Sequence, residues 1–447
     1  MLLNNDTICA LATAPGGAIG VIRLSGTSAI HVANSVFSKD IENAKPNSIH
    51  YGCIIDPSSS EVIDDVLISL FRAPHSYTGE DSIEISCHGS RFILSEVLQL
   101  LIRQGARQAM AGEFTRRAYQ NGKMDLSQAE AVADLISSTN SATHKLAMSQ
   151  LKGNFSSELA SLRDQLLQIT SLLELELDFS EEDVDFADRQ KLLHLATYIH
   201  QHITKLADSF RTGQAIKQGI SVAIVGHTNV GKSSLLNTLV GEDRAIVSDI
   251  HGTTRDTIEE ILNINGVAFR LIDTAGLRST TDEIEQIGIN RTKQKIDESS
   301  IIMWICDTMP SSAEIESMEK QSQGKTLLKV LNKCDLHPIP STTDFICISA
   351  KQATGIDNLK EALFTASNIP AFSQNDVIVT SARHYDALIK ANSDILRVIE
   401  GLNINLSGDL ISEDLRQCID HLSDIVGGTI QTDEVLGSIF SSFCIGK

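Results

Sequence analysis

The stretch GHTNVGKSS, residues 226–234, constrains the fold of this chain more than any other part of its sequence. It fits the pattern G-x-x-x-x-G-K-[ST] through Gly226, Gly231, Lys232 and Ser233. The apolar run SVAIV leads into it, and the apolar stretch SLLNTLV, with the character of a helix, follows it. A strand, a glycine-rich loop and a helix in this order surround phosphate groups with backbone N–H groups at a helix N-terminus. The sequence therefore predicts a phosphate-binding loop in an α/β domain.

Three further motifs follow in order, each at the end of an apolar run. DTAG begins at Asp273, whose carboxylate is expected to hold Mg²⁺ through water, while Lys232 pairs with the β/γ-phosphates and Ser233 ligates the metal. NKCD ends at Asp335, which can accept two hydrogen bonds from guanine N1 and N2. SAK supplies a backbone N–H to guanine O6. The four motifs together predict a GTPase domain.

The segment between the phosphate loop and DTAG predicts a switch loop. VSDIHGTTRD, residues 247–256, lies there, and Thr254 is expected to be the second Mg²⁺ ligand. Leu277 follows DTAG, so the glutamine that positions water in Ras-like enzymes is missing. Another group must therefore orient the water. The candidate nucleotide-binding residues are Asn229, Val230, Gly231, Lys232, Ser233, Ser234, Ser248, Asp249, Ile250, His251, Gly252, Thr253, Thr254, Asp273, Thr274, Ala275, Gly276, Asn332, Lys333, Asp335, Ser349, Ala350 and Lys351.

The spacing of apolar residues changes three times along the chain, and these changes predict a discontinuous helical domain. Short apolar runs separated by helical spacing indicate an N-terminal α/β domain over 1–120. Long amphipathic stripes, opened by a capping box at Ser127 and Glu130, indicate a first helical part over 121–217. Alternating strands and helices predict a Ras-like P-loop domain over 218–372, and helical spacing returns over 373–447. The simplest arrangement is a GTPase domain inserted into a helical one.

The composition of the chain limits which binding partners and which cellular compartment are expected. The 447 residues carry a net charge of −20, which argues against a broad nucleic-acid surface, although Arg103, Arg107, Arg116, Arg117 and Lys123 form a candidate basic patch. The eight cysteines show neither a C-x-x-C pair nor zinc spacing, which indicates mostly structural thiols in a reducing cytosol. The first residues lack the pattern of a secretory signal, and no apolar run has the length of a membrane span. A cytoplasmic protein is expected.

From end to end the chain resembles the MnmE/TrmE family of bacterial GTPases that modify C5 of the wobble uridine of tRNA. The resemblance rests on GGAIGVIRLSG, SYTGEDSIEISCHG, GEFTRRAYQNGKMDLSQAEAVADLI, the GTPase motifs, GTTRD, EIEQIGINRT and the closing FCIGK. It implies a homodimer formed by the N-terminal domain and GTPase domains that pair when K⁺ binds. By this resemblance the K⁺ ligands are Asn229, Ser248, Ile250 and Thr253, and Glu285 orients the water in place of the missing glutamine. Ser248 stands where the family commonly has threonine, so the hydroxyl is retained.

The resemblance also implies a folate site. Arg23, Glu80 and Lys123 match positions that hold a 5-formyl- or 5,10-methylene-tetrahydrofolate, with cations for the glutamate tail and a carboxylate for the pterin N–H groups. The C-terminal tail is expected to reach this region, with Lys447 at the folate and Cys444 beside the one-carbon unit. A prenylation box fits the tail poorly because Gly446 and Lys447 do not match the C-a-a-X pattern.

The resemblance implies a GTP hydrolase that works with a flavoprotein partner, MnmG (GidA), in a heterotetramer. The pair adds a (carboxymethyl)aminomethyl group to the wobble uridine, with FAD on the partner and most tRNA contacts made through the partner. The residues leave a second reading open, a GTPase switch in ribosome assembly without modification activity. The two readings share the nucleotide motifs, but a pure switch needs neither a folate pocket nor a terminal thiol.

Overall fold

The structure of the chain is a computed structural model. It describes residues 6–178, 189–242, 259–273, 296–336, 344–370, 373, 375–428, 436–437, 439–440, 443–444 and 446. These residues cluster into two compact units, which are described separately. The first comprises residues within 1–133, 150–196 and 394–447, and the second comprises residues within 134–149 and 197–393.

The first unit contains a mixed six-stranded sheet in the order β3-β4-β5-β2-β1-β6. All neighbouring strands are antiparallel except β1 and β6, which are parallel. The strands are β1 (Ile8–Leu11), β2 (Ile19–Ser25), β3 (Ser48–Ile55), β4 (Val62–Phe71), β5 (Ser82–His88) and β6 (Arg107–Gln108). The apolar runs TICALAT, IGVIRLSG, VLISLFR and SIEISCH of the sequence predict β1, β2, β4 and β5, but no such run predicts β3 or β6. The apolar residues of β3 alternate poorly along an edge strand, and β6 has only two residues.

Helices of the first unit pack against this sheet and against each other. Buried leucines of α2 and the apolar residues of α1 form one core with the sheet. Residues of the first unit form α1 (Ala29–Asn34), α2 (Arg91–Arg103), α3 (Glu113–Gln120), most of α4 (Leu126–Ser137), α6 (Asn154–Asp178) and the start of α7 (Arg189–Gln218). Most of α5 (Ser141–Leu151) and the rest of α7 belong to the second unit. The predicted stripe on α6 is confirmed, because Phe155, Leu159, Leu162, Leu166, Ile169 and Leu173 are each at most 4% exposed.

The start of α4 differs from the prediction. Ser127 is fully buried inside the helix and does not cap it. Instead, the Gln128 N–H donates to Asp125 Oδ1 (2.9 Å) and the Asp125 N–H donates to Gln128 Oε1 (3.0 Å). This reciprocal pair is a capping box two residues earlier. Burial of Leu126 favours the earlier start, since a helix that began later would leave that side chain outside the helix.

The second unit contains the sheet β12-β11-β10-β7-β9-β8, in which only the β8–β9 pair is antiparallel. Its strands are β7 (Ile220–Val225), β8 (Glu259–Ile264), β9 (Val267–Asp273), β10 (Ile301–Cys306), β11 (Thr326–Leu331) and β12 (Ile346–Cys347). The second unit also contains α8 (Lys232–Glu242), α9 (Ser312–Gln321) and α10 (Ile356–Ala366). Among the described residues, α11 (Ala382–Asn403) is divided between the two units, and α12 (Gly408–Val426) belongs to the first. Apolar side chains of α8, α10 and the end of α7 pack into the core of this sheet.

The multidomain fold class is confirmed: an N-terminal α/β domain, long helices on both sides in sequence, and an inserted sheet of the P-loop type. The predicted domain boundaries remain predictions. In the first unit α12 packs along α6. Among the described residues, no helix is both long and apolar enough to cross a membrane.

Candidate functional site

The phosphate loop lies where the prediction put it, between β7 and α8. Lys232 begins α8 and is only 8% exposed. Its ammonium group donates to the carbonyl oxygens of Gly226 (2.8 Å) and His227 (2.7 Å). The lysine is therefore held against its own loop by main-chain acceptors.

Two residues in the loop have backbone conformations that an ordinary side chain resists. Gly231 has a φ of +97°, and a Cβ built on it would lie 2.3 Å from Asn332 Nδ2. Asn229 has a φ of +65°, which asparagine tolerates better than most residues. The glycine in the G-K-S part of the motif is thus required both by its dihedral angle and by the approach of Asn332.

Asn332 connects two of the predicted motifs. Its Nδ2 donates to the Val230 carbonyl (2.8 Å), and its Oδ1 accepts from the Ala350 N–H (3.0 Å). The side chain is 3% exposed, so both bonds are shielded from water. The asparagine of NKCD therefore fixes the phosphate loop and the SAK turn relative to each other. Because the Ala350 N–H is engaged by Asn332, it is not free to donate to a base in this structure.

Lys333 holds the other side of the loop. Its Nζ donates to the Asn229 carbonyl (2.8 Å) and to Asp307 Oδ2 (2.9 Å). Asp335 follows with an exposed side chain, while Ser349 and Ala350 are buried. The structure thus brings together the phosphate loop, NKCD and SAK at the carboxyl ends of β7, β11 and β12.

Several predicted residues lie outside the described part of the chain. Asp273 ends β9, as predicted, and pairs with Ile224 of the neighbouring strand β7. The predicted residues outside the described ranges are Ser248, Asp249, Ile250, His251, Gly252, Thr253, Thr254, Thr274, Ala275, Gly276, Glu285 and Lys447. Their roles stay predictions.

The described part of this site fits a nucleotide with its metal. The loop directs main-chain groups around Gly231, and Ser233 lies exposed in the first turn of α8, next to the buried lysine. A helix N-terminus with a lysine and a hydroxyl is suited to phosphate oxygens and to a hard cation that prefers oxygen ligands.

The three candidate folate residues converge on the loop between β4 and β5. The guanidinium carbon of Arg23 lies 5.4 Å from the centroid of the Tyr77 ring, and its Nη2 donates to Glu84 Oε1 (2.7 Å). Lys123 Nζ donates to the carbonyl of Pro74 (2.9 Å) in the same loop. Glu80 lies near the end of this loop. A cation, a carboxylate and an aromatic ring thus surround one short segment, which fits a ligand with a charged tail and a polar ring.

Beneath Glu80 lies a charge network that the sequence analysis missed, formed by Asp6, Glu80, Arg107, Glu113 and Arg117. Arg117 is 4% exposed, and its Nη2 donates to Asp6 Oδ1 (2.5 Å) and Glu113 Oε1 (3.1 Å). Arg107 Nε donates to Asp6 Oδ2 (2.7 Å), and its Nη2 donates to Glu113 Oε1 (2.6 Å). One signal was available in the sequence: Arg117 follows the buried Phe114 by three positions, on the apolar side of α3.

Hydrogen bonds from the arginines lower the pKa values of two carboxylates in the charge network, those of Asp6 and Glu113. Burial alone would raise the pKa of Glu113, but hydrogen bonds from Arg107 and the Met110 N–H outweigh it, so the pKa is below its usual value. Burial opposes the shift of Asp6 as well, and hydrogen bonds from Arg107 and Arg117 still bring its pKa below the usual value. Both carboxylates therefore stay charged at neutral pH.

The candidate basic patch is largely neutralised by these contacts. Arg103 pairs with Asp56 (3.1 Å), while Arg107 and Arg117 belong to the charge network. Cations that are paired with carboxylates contribute little to phosphate binding. The described structure therefore offers less basic surface than the sequence of this stretch indicated.

The C-terminal tail docks on the N-terminal domain. Phe440 and Phe443 pack with Leu126 and Ala129, and their ring centroids lie 5.2 Å apart. The Gly112 N–H donates to the Cys444 carbonyl (3.3 Å), and the cysteine side chain is exposed. A Cβ on Gly446, at a φ of +96°, would lie 2.0 Å from the carbonyl oxygen of Leu11 at the end of β1.

This docking places the tail beside the strand pair that carries Arg23. Leu11 pairs with Ile22, and the preceding Ala10 pairs with Arg23. Gly446 therefore lies beside Leu11, which is the neighbour in β1 of the residue that pairs with the candidate folate cation. The sequence alone showed a thiol near the chain end, and the fold brings that end to the N-terminal sheet.

The phosphate loop, the guanine-type motifs and the parallel sheet define a P-loop GTPase. Residues 7–123 match the N-terminus family of the GTP-binding protein TrmE, and residues 126–444 match the MnmE helical domain family. The tRNA modification GTPase MnmE of Bacteroides fragilis is 53% identical over 468 residues, covering 100% of both chains. That of Bacteroides thetaiotaomicron is also 53% identical, covering 100% of both. The chain belongs to the MnmE family of tRNA modification GTPases, which confirms the resemblance.

One solved structure with partial similarity is the G domain of FeoB from Methanococcus jannaschii. It is 25% identical, covers 33% of this chain and 97% of that chain, and superimposes with a TM-score of 0.25.

Proposed function

We propose that this chain is a K⁺-activated GTP hydrolase that works in the cytoplasm with a flavoprotein partner. Together they add a (carboxymethyl)aminomethyl group to C5 of the wobble uridine of certain tRNAs. The observation that carries the proposal is the presence, in one chain of this family, of a GTPase site and a separate charged site to which a thiol-bearing tail docks. A GTPase fold uses a guanine nucleotide and Mg²⁺, with Ser233 and Thr254 proposed as the metal ligands.

The proposed role of K⁺ rests on the family resemblance and is supported by the shape of the phosphate loop. Asn229 is held in a left-handed conformation, and Lys333 binds its carbonyl. This contact supports a fixed orientation for Asn229, the proposed first K⁺ ligand. Ser248, Ile250 and Thr253 complete the proposed set, and Glu285 is proposed to orient the attacking water. A cation among the phosphates stabilises the charge that develops in the transition state.

The folate part of the proposal assigns Arg23 and Lys123 to the anionic groups of the ligand and Glu80 to its pterin N–H groups. The docking of Gly446 beside Leu11 supports an approach of Cys444 and Lys447 to the same ligand. A tetrahydrofolate derivative would supply a one-carbon unit when bound. The residues of this chain would bind and orient it.

The proposed homodimer is supported by the outer side of the N-terminal sheet. Ile49 and Tyr51 on the edge strand β3 are 68% and 61% exposed, and Leu67, which pairs with Tyr51, is 45% exposed. An apolar patch on an edge strand favours contact with another chain. The partner flavoprotein, with its FAD, is proposed to make most contacts with tRNA, since Arg103, Arg107 and Arg117 of the candidate basic patch are paired with carboxylates.

The experiment that tests the proposal is nucleoside mass spectrometry of tRNA from cells that lack this protein. We expect the modified wobble uridine to disappear and to return when the gene is restored. Unchanged wobble uridines would refute the modification activity and favour the alternative of a ribosome-assembly switch.

Two further experiments separate the parts of the proposal. GTP hydrolysis should be faster in K⁺ than in Na⁺, and equal rates would remove the K⁺ assignment. Cys444→Ser should retain hydrolysis and lose the tRNA modification in cells. Cys53→Ser is the matched control, since Cys53 is a partly exposed thiol on β3.

A further inference from the structure

Arg117 is the most completely buried charged group in the N-terminal charge network. Its side chain lies on α3, beside the buried Phe114, and is 4% exposed. A buried guanidinium requires opposite charges and hydrogen-bond acceptors, because leaving water is costly for an ion. Arg117 has acceptors from three carboxylate residues and one backbone carbonyl, so its position is determined from several directions.

One of these acceptors is the carboxylate of Glu80. Arg117 Nη1 lies 3.3 Å from Oε1 and 3.2 Å from Oε2 of Glu80, so one nitrogen contacts both oxygens. Ser25 Oγ donates to Oε2 from the opposite strand (2.7 Å), and Ser25 Oγ lies 2.6 Å from the Thr78 hydroxyl. The Glu80 side chain is 15% exposed, so it is held by these contacts without being closed off from solvent.

Arg107 provides an internal comparison. It binds Asp6 and Glu113, two of the three carboxylates that Arg117 binds, and it is likewise charged. Its side chain is 37% exposed, however, and within the described structure its hydrogen bonds do not include Glu80. The two arginines therefore differ in the feature that matters here, which is contact with the candidate ligand-binding carboxylate.

We propose that Arg117 is a positioning residue that orients the Glu80 carboxylate toward the pterin N–H groups of a folate. This inference rests on the folate-binding part of the proposed function. Arg117 contacts Glu80 from beneath, while Ser25 and the Thr78 pair restrict it from the side. A carboxylate that is already oriented loses less conformational entropy on binding a planar donor pair, so the ligand binds more tightly.

A purely structural role for Arg117 predicts a different result. Loss of a structural ion would destabilise the domain and weaken all ligands similarly, whether or not Glu80 is present. A positioning role acts through the charged pair of Arg117 with Glu80, so its effect should disappear once residue 80 no longer carries that carboxylate. A double-mutant cycle measures this difference directly.

The experiment measures binding of 5-formyltetrahydrofolate to the full-length protein by isothermal titration calorimetry. The variants are Arg117→Lys, Glu80→Gln and the double variant, with Arg107→Lys as the matched control. We expect Arg117→Lys to weaken binding about tenfold and Arg107→Lys less than twofold. In the Glu80→Gln background, Arg117→Lys should add less than twofold. Far-UV circular dichroism and GTP hydrolysis monitor the integrity of each variant.

The remaining outcomes separate this inference from the proposed function. No binding by the unchanged protein would overturn the folate assignment, and this inference with it. Binding that is lost in Glu80→Gln but retained in Arg117→Lys would overturn the positioning role alone, as would additive effects in the double variant. Should Arg117→Lys fail to fold, Asp6→Asn replaces it, because it removes one anchor of Arg117. It should weaken binding severalfold, and only when Glu80 is present.

Discussion

The phosphate loop and the candidate folate site of this chain are held by different kinds of contact. The phosphate loop is held by main-chain groups: Lys232 and Lys333 bind loop carbonyls, and Asn332 joins two loops through backbone atoms. The candidate folate site is held by side chains that come from distant parts of the chain, as when Arg117 meets Asp6, 111 residues away. The first kind of site tolerates little change in backbone shape, whereas the second depends on the ionisation of partly buried carboxylates.

The largest effect should follow from adding a methyl group to the phosphate loop at Gly231. Gly231→Ala places a Cβ 2.3 Å from Asn332 Nδ2 at a φ of +97°, so the loop must shift. We expect GDP binding to weaken at least about 100-fold, because phosphate contacts depend on the main-chain geometry. Fluorescent GDP titration checks this. Gly241→Ala in α8, where a Cβ meets nothing within 4 Å, should leave the affinity nearly unchanged.

A smaller effect, a loss of folding stability, is expected when the hydrogen bonds that join the phosphate loop to SAK through Asn332 are removed. Asn332→Ala leaves the Val230 carbonyl and the Ala350 N–H without this partner in a buried region. Each such group costs about 1–3 kcal/mol, so for the two groups together we expect the second unit to lose at least about 2 kcal/mol of stability. Urea unfolding monitored at Trp304, which is in β10, measures it. Asn237→Ala on the exposed side of α8 is the control, and a similar loss in both would contradict the link.

The pH dependence should distinguish the two sites. The folded pKa values of Asp6 and Glu113 are depressed, so their stabilisation is present above the unfolded values, near 3.8 and 4.5, and disappears as pH falls through the folded values. The first unit should therefore lose stability below about pH 4.5. Urea midpoints between pH 3 and pH 7 check this. Glu113→Gln should flatten the profile, and an unaltered profile would exclude Glu113 as its source.

The smallest effect is expected at the surface of the phosphate loop. Lys333→Met removes the bonds to the Asn229 carbonyl and to Asp307, in a pair that is about one-third exposed. Since partly exposed pairs contribute about 1 kcal/mol or less, the K⁺ concentration for half-maximal hydrolysis should rise severalfold. Lys329→Met, which removes a comparable pair with Glu319, should leave that concentration unchanged. Equal K⁺ responses in the two variants would show that Lys333 does not support Asn229.

Much of the nucleotide site was predictable because its residues are close together in sequence. Gly231, Lys232 and Ser233 are consecutive, and NKCD and SAK each end a strand of a parallel sheet, whose carboxyl ends meet at one edge. The details were less accessible. The role of Asn332 as a link between loops depends on distances across that edge, and the capping pair Asp125–Gln128 depended on the burial of Leu126.

The sequence by itself determined the family, the GTPase motifs, the long helical stripes and the separation of the helical segments by an inserted sheet. These are local or repeating patterns, in which the spacing of residues carries the physical requirement. Only the tertiary structure decided that Arg117 supports Glu80 and that Gly446 docks beside Leu11. The spacing of residues in the sequence does not reveal a buried charge. A charge is stable in the interior only when folding brings oppositely charged or hydrogen-bonding partners to it.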